Sequence, residues 1–177
     1  MMDPAERILT IEDVAELDLR MPHVVQLESQ LPDAKGRGGI TIRDLFRAAL
    51  RMRPDRIIVG ECRGGEALDM IQAMNSGHAG SLSTVHADDP ARALSRLETL
   101  CLMSDIEIPL IAVRRQIIEA IDVVIQIQRT QGKRLVMEIA EVVKDDGGNS
   151  TYAMRPLFKR ADAEADLQRV APDTTSA

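Results

Sequence analysis

Short apolar runs alternate along the chain with segments whose apolar positions recur every three or four residues, a pattern that predicts strands and helices in turn. Residues 7–11 and 23–28 read as two short strands, and the Pro, Gly and charge-rich stretch 31–39 after them reads as a loop. Thr41 is placed as the N-cap of a helix running to about Met52, with Leu45, Phe46, Ala49 and Leu50 on one face and Pro54 beyond its end. Residues 56–61, RIIVGE, form an apolar run closed by a glycine and an acid, the pattern of a strand buried on both faces. A helix over 64–74, a strand over 81–86 and two helices over 90–103 and 109–121, each opening at a proline, continue the alternation. Strands over 122–128 and 135–143, joined by a turn at 130–133, and an edge strand over 152–157 follow. The residues beyond Lys159 are charged and small, and are expected to form a flexible tail. The pattern predicts an α/β domain, three-layer, with a mostly parallel sheet and an antiparallel extension at its C-terminal side.

Composition narrows the function classes. With 177 residues, 45% hydrophobic and 28% charged, the chain has the makings of one globular core that needs no metal or disulfide staple. Its apolar runs fall far short of the roughly 20 residues a spanning helix requires. The first residues carry acids rather than a basic-then-apolar leader, so a cytoplasmic location is expected. A net charge of -6 and an aromatic content of 2% leave neither a basic footprint nor a base-stacking platform, so nucleic acid is not an expected partner. Cys62 and Cys101 match no metal-ligand spacing and read as structural thiols in a reducing compartment.

The candidate chemistry lies where strands end. Glu12 and Asp13 follow the first strand, Glu61 closes RIIVGE, and His78 and His86 bracket the segment GHAGSLSTVH. In an open parallel sheet, ligands bind outside the carboxyl ends of the strands, so these side chains are expected to converge on one rim. A strand-tip glutamate suits a general base or water-orienting group beside a phosphate, and neighbouring acids hold Mg²⁺ through water. An acid after a strand is also, taken singly, an ordinary first solvated residue; several strands ending this way favour the functional reading. The histidines, with Ser83 and Thr84, suit hydrogen-bond donors near a phosphate and lack the i, i+4 pairing of a zinc helix. Arg51, Arg53 and Arg63 flank RIIVGE and are candidate sensors or fingers for charge on a transferring phosphoryl group.

Three blocks carry a family resemblance: ERILTIEDVAEL, then ALRMRPDRIIVGECRGGEALDMIQAMNSGHAGSLSTVHADDPARALSRLETL, then IPLIAVRRQIIEAIDVVIQIQR. Together they resemble the secretion ATPase superfamily of type II and type IV systems, and within it the tight-adherence (Tad/Flp) pilus assembly ATPases of CpaF type. The resemblance implies a partial RecA-like domain of the ASCE P-loop NTPase class over residues 1–159. Glu12, Asp13 and Glu16 fall in its Asp box, residues 56–61 in its Walker B strand and residues 78–86 in its His box. It further implies that Glu61 polarises the attacking water, that Glu12 assists at the Mg²⁺ and phosphate site, and that the histidines couple nucleotide state to neighbouring elements. ATP and Mg²⁺ are then the cofactors. A homo-hexamer, or full-length ATPase subunits, and inner-membrane platform proteins are the implied partners, at the cytoplasmic membrane face.

One part of the family pattern is missing. A P-loop reads G-x-x-x-x-G-K-[ST], and the Gly132-Lys133 pair is followed by Arg134 and has Ile127 where the first glycine belongs. Without the Walker A lysine and its backbone cradle the chain alone is expected to be inactive, and the absent strand is expected to leave an exposed strand edge or a gap between the Walker B strand and its neighbours. The competing expectation is a non-catalytic interaction or regulatory module, or a gene remnant, that assembles with full-length subunits.

Overall fold

A computed structural model of the chain describes residues 3–144 and 152–171. Its first sheet is four-stranded and all parallel, in the order β2-β1-β3-β4. The strands are β1 (Ile8–Glu12), β2 (Val24–Glu28), β3 (Arg56–Val59) and β4 (Leu82–Ser83). β1 is buried along its whole length, and Ile57, Ile58 and Val59 of β3 are buried beside it. That burial on both faces accounts for the apolar run Ile57–Val59 of β3, and β1 places the buried Thr10 among its apolar Ile8, Leu9 and Ile11.

Four helices follow the pattern of the sequence: α1 (Ile42–Ala49), α2 (Glu66–Asn75), α3 (Pro90–Leu102) and α4 (Leu110–Ala120). α1 begins with a reciprocal capping box in which the Thr41 hydroxyl accepts from the Asp44 amide and the Asp44 carboxylate accepts from the Thr41 amide. A single 3-10 turn, Leu50–Met52, extends α1, and Arg53 ends it in the left-handed region at φ 54°. α3 begins with Asp89 accepting from the Arg92 amide and with Pro90 in its first turn.

The second sheet is antiparallel, in the order β5-β6-β7-β8, with β5 (Val123–Thr130), β6 (Lys133–Val142), β7 (Met154–Lys159) and β8 (Gln168–Arg169). Gln131 at φ 51° and Gly132 at φ 79° make the two-residue hairpin between β5 and β6, whose twist requires positive φ at both positions. One apolar core joins the two sheets through the helices, running from Leu9, Ile57 and Val59 through Leu68, Ile71, Leu94 and Ile117 to Val142 and Tyr152. Glu98 on α3 anchors the second sheet: Arg114 of α4 donates to it twice, at 3.0 Å each, and the Tyr152 hydroxyl donates at 2.8 Å.

Three expectations change. The strand expected over 81–86 is two residues long, because the Thr84–His86 stretch leaves the ladder to make side-chain contacts described below. The tail expected to be flexible beyond Lys159 instead turns back, and β8 pairs with β7 while the Arg160 guanidinium donates to the carbonyls of Val136 and Ala165. Residues 172–177 of that tail lie outside the described residues. Finally, of the exposed edge or gap expected near the Walker B strand, no gap opens beside β3, which is hydrogen-bonded to β1 on one side and β4 on the other. The edges of the parallel sheet are β2 and the two-residue β4, where Leu82 is exposed.

Candidate functional site

Parallel strands deliver their C-terminal tips to one rim, and there the structure gathers Glu12, Asp13, Glu61, Arg63 and His86. Glu61 stands two residues past the end of β3 with its side chain 21% exposed. One carboxylate oxygen accepts from Arg63 Nε at 2.8 Å and lies 2.6 Å from Nη2, a two-point grip, and the other oxygen lies 3.2 Å from His86 Nε2. The hydrogen bond to Glu61 holds the Arg63 guanidinium even more firmly protonated than usual. Arg63 Nη1 reaches to 3.7 Å from Asp13, whose other oxygen accepts from the Ser29 hydroxyl at 2.9 Å. Carboxylates and nitrogen-bearing side chains thus alternate along the rim from β1 to the segment after β4.

Glu12 does different work. Its side chain is buried, and it accepts from the backbone amides of Glu16 at 3.1 Å and Leu17 at 3.2 Å. Those bonds fold the loop after β1 and so place Asp13 opposite Arg63. Glu16 enters through its amide, and its own carboxylate is exposed. Gly60 is required by close approach: a Cβ there would lie 3.0 Å from Glu12 Cγ. The Gly64-Gly65 pair after Arg63 has a related origin, since a Cβ on Gly65 would lie 2.8 Å from the Ser104 backbone. Neither residue of that pair adopts a positive φ.

The expected convergence fails for His78, and two of the flanking arginines also lie away from the rim. His78 precedes β4, so it sits at the opposite, amino-terminal end of the sheet, where its carbonyl accepts from the Ser81 hydroxyl and Arg56 donates to the Gly80 carbonyl. Arg51 and Arg53 precede β3 and occupy that same far end. Linear spacing placed them beside RIIVGE without showing at which end. Ser83 and Thr84 do lie near the rim, but their hydroxyls donate inward: Ser83 to the Cys62 sulfur at 3.3 Å and Thr84 to the Gly60 carbonyl at 2.6 Å. Burial pushes the Cys62 thiol up to about 12, in keeping with a structural thiol.

The residues present match half of a nucleotide site. Asp13 and Glu61 offer the one or two carboxylates with which proteins commonly hold Mg²⁺ alongside phosphate oxygens, and Arg63 offers a cation for phosphoryl charge. Among the described residues no group of three or more His, Cys, Asp or Glu is placed to hold a metal unaided. Among the described residues no phosphate cradle accompanies them, and Gly132-Lys133 lies at the β5–β6 hairpin within the second sheet.

A parallel sheet flanked by helices, carrying charged residues at its strand tips and followed by an antiparallel sheet, is the fold of secretion-system ATPases of the RecA-like P-loop type. The VirB11 ATPase of the Brucella suis type IV secretion system has it, with a TM-score of 0.69 and 32% identity over 79% of this chain and 41% of that one. The Legionella pneumophila ATPase DotB shares the fold at a TM-score of 0.56 and 24% identity, over 83% of this chain and 39% of that one. The chain belongs to the type II/IV secretion system protein family, which it matches over residues 1–160. It is 41% identical to a Mycobacterium tuberculosis protein named for conjugal transfer, over 82% of this chain and 41% of that protein. It is 38% identical to the type IV secretion system protein PtlH of Bordetella pertussis, over 81% of this chain and 43% of that protein. The chain thus spans about two fifths of the length of these relatives. Among the described residues no helix is long and apolar enough to cross a membrane.

Proposed function

We propose that this chain supplies the water-orienting side of a secretion-motor ATPase of the tight-adherence (Tad/Flp), CpaF type, in which ATP hydrolysis drives pilus assembly or protein export. The observation that carries the reading is the Glu61 carboxylate at the tip of β3, gripped by Arg63 at 2.8 Å and by His86 at 3.2 Å. A carboxylate fixed in this way keeps one direction for a water proton, and the guanidinium beside it faces the charge that builds on a transferring phosphoryl group. Asp13 and Glu61 would hold the Mg²⁺ that accompanies the nucleotide. Glu12 acts through the loop that its backbone bonds fold and that Glu16 belongs to, and His86 links the nucleotide side to the β4 segment. The phosphate cradle comes from a P-loop strand outside this chain, for which the open β4 edge is the available neighbour. The working assembly is a hexamer of such subunits on inner-membrane platform proteins at the cytoplasmic face.

A fluorescent ATP analogue with Mg²⁺, added to the chain alone and then with a P-loop-bearing N-terminal fragment of a family member, tests the reading. Binding only after the fragment is added, with turnover abolished and binding retained in Glu61→Gln, is the expected result. Absence of binding in both conditions refutes it in favour of a non-catalytic interaction module.

A further inference from the structure

Glu61 is held at its carboxylate by Arg63 and His86, yet a side chain points only as reliably as the backbone beneath it. That backbone lies beyond the last β3–β4 register pair, Val59↔Ser83, where the regular ladder has ended. Two hydrogen bonds replace the ladder, and both belong to one residue. The Thr84 hydroxyl donates to the Gly60 carbonyl at 2.6 Å, and the Cys62 amide donates to the Thr84 carbonyl at 3.0 Å. Glu61 is the residue between those two anchors. On the opposite side, the Gly60 amide donates to the Ile11 carbonyl at 2.9 Å, and the Glu12 stem lies against Gly60 closely enough that a Cβ would meet it at 3.0 Å.

From this bracket we infer that Thr84 is a positioning residue, fixing the peptides on either side of Glu61 so that its carboxylate meets Arg63 and His86. The hydroxyl stands in for a backbone donor that the end of β4 no longer provides. Its single proton is committed to Gly60, so Thr84 serves the site from below rather than touching a nucleotide. The same short segment carries His86 two residues further on, so displacement of this segment moves both the peptide support and the imidazole neighbour of Glu61 together. Valine would keep the shape of the side chain and remove the donor, whereas serine would keep the donor.

The functional half of this inference rests on the ATPase reading above, and the experiment separates the two. In the isolated chain, NMR signals of the Arg63 Nε–H and the His86 ring report whether Glu61 is in place. Thr84→Val and Thr84→Ala are expected to move both signals toward their positions in Glu61→Gln. Thr84→Ser is expected to restore them, and Ser95→Ala, which removes a hydroxyl that donates only to the Ala91 carbonyl within α3, is expected to leave them. Unmoved Arg63 and His86 signals in folded Thr84→Val and Thr84→Ala overturn the inference whatever the ATPase assay gives. With the P-loop-bearing fragment added, Thr84→Val is expected to lower kcat about 10- to 100-fold with KM for ATP unchanged, as a misdirected reacting group does. A loss confined to KM, or an equal loss in Thr84→Ser, overturns it. Absence of turnover in the unsubstituted pair refutes the ATPase reading while the NMR result still decides the bracket.

Discussion

Gly65 offers a test in which two opposing effects can be weighed. It precedes α2 with φ −63° and ψ −13°, a conformation alanine adopts freely. Backbone entropy alone therefore makes Gly65→Ala stabilising by about 0.4–1 kcal/mol. The added methyl, however, lies 2.8 Å from Ser104 Cα and 3.1 Å from Ser104 N, and these are backbone atoms just past α3 that cannot rotate away. Forced repacking of this kind costs about 1–3 kcal/mol. Its steric cost exceeds the entropic gain, and a net loss of about 1–2 kcal/mol is expected. With a urea dependence of about 2 kcal/mol per molar for a domain of this size, the midpoint falls by roughly 0.5–1 M. Gly64→Ala is the comparison, because its methyl would meet a side chain rather than backbone, the Glu66 carboxylate at 3.1 Å, which the amides of Arg63 and Gly64 hold. That variant is expected to lose less than Gly65→Ala. A Gly65→Ala midpoint at or above that of the parent chain would refute the close-approach argument.

Other expectations follow from the same contacts. Tyr152→Phe removes a hydrogen bond to the Glu98 carboxylate but leaves Arg114 paired with it, and should lower stability by about 1–2 kcal/mol. Glu98→Gln strips the charge from Arg114 as well and should cost more; equal losses in thermal unfolding would contradict the three-residue anchor. Burial pushes the Cys62 and Cys101 thiols from an ordinary value of 9.0 up to about 12. The unfolded chain then loses those protons first, so stability should fall as pH rises from about 9 toward 12, with the slope reduced in Cys62→Ala/Cys101→Ala. Tyr152, raised by burial and then by Glu98, adds to the loss above about pH 10. In the reconstituted ATPase, His86→Ala should reduce turnover whereas His78→Ala, at the far end of the sheet, should leave it intact; the reverse order would contradict the rim assignment.

The parts legible in the sequence were those where local pattern and burial agree. β3 was readable because both faces are buried and its run Ile57–Val59 is unbroken, β1 because Ile8, Leu9 and Ile11 surround a single Thr10, and α1 and α3 because Thr41 and Asp89–Pro90 are self-sufficient start signals. Glu61 was readable as a strand-tip acid for the same reason. Position relative to the sheet was less legible. His78 and His86 look like a pair in sequence, but a parallel strand lies between them and carries them to opposite ends. The shortness of β4 was also hidden, because SLSTVH has strand-like composition while Thr84 uses its hydroxyl and carbonyl on residues 60 and 62. Contacts between elements distant in sequence, such as Glu98 with Arg114 and Tyr152, left no local signal. Arg63 was among the candidate arginines, yet only folding distinguishes it from Arg51 and Arg53 by bringing Glu61 and Asp13 to its side.

The junction between α4 and the second sheet has a mechanical consequence. β5 begins at Val123, directly after the last turn of α4, and Lys144, just past β6, donates to the carbonyls of Ile118, Glu119 and Ile121 at 3.0 Å each. A lysine ammonium plugging the open carbonyls of a helix end welds that end to whatever carries the lysine. Helix and hairpin are therefore fastened at their junction, with Gln126 of β5 donating to the Ala87 carbonyl and β6 paired to β7 over Glu138–Val142, and the hairpin runs out from there to its tip. β6, ten residues long, gives the hairpin a reach of about 33 Å. A tilt of about 5° at the α4 end would sweep the Gln131–Gly132 tip through about 3 Å over that length. The hairpin thus works as a pointer, converting a twist too small to repack the core into a displacement that an abutting surface would feel.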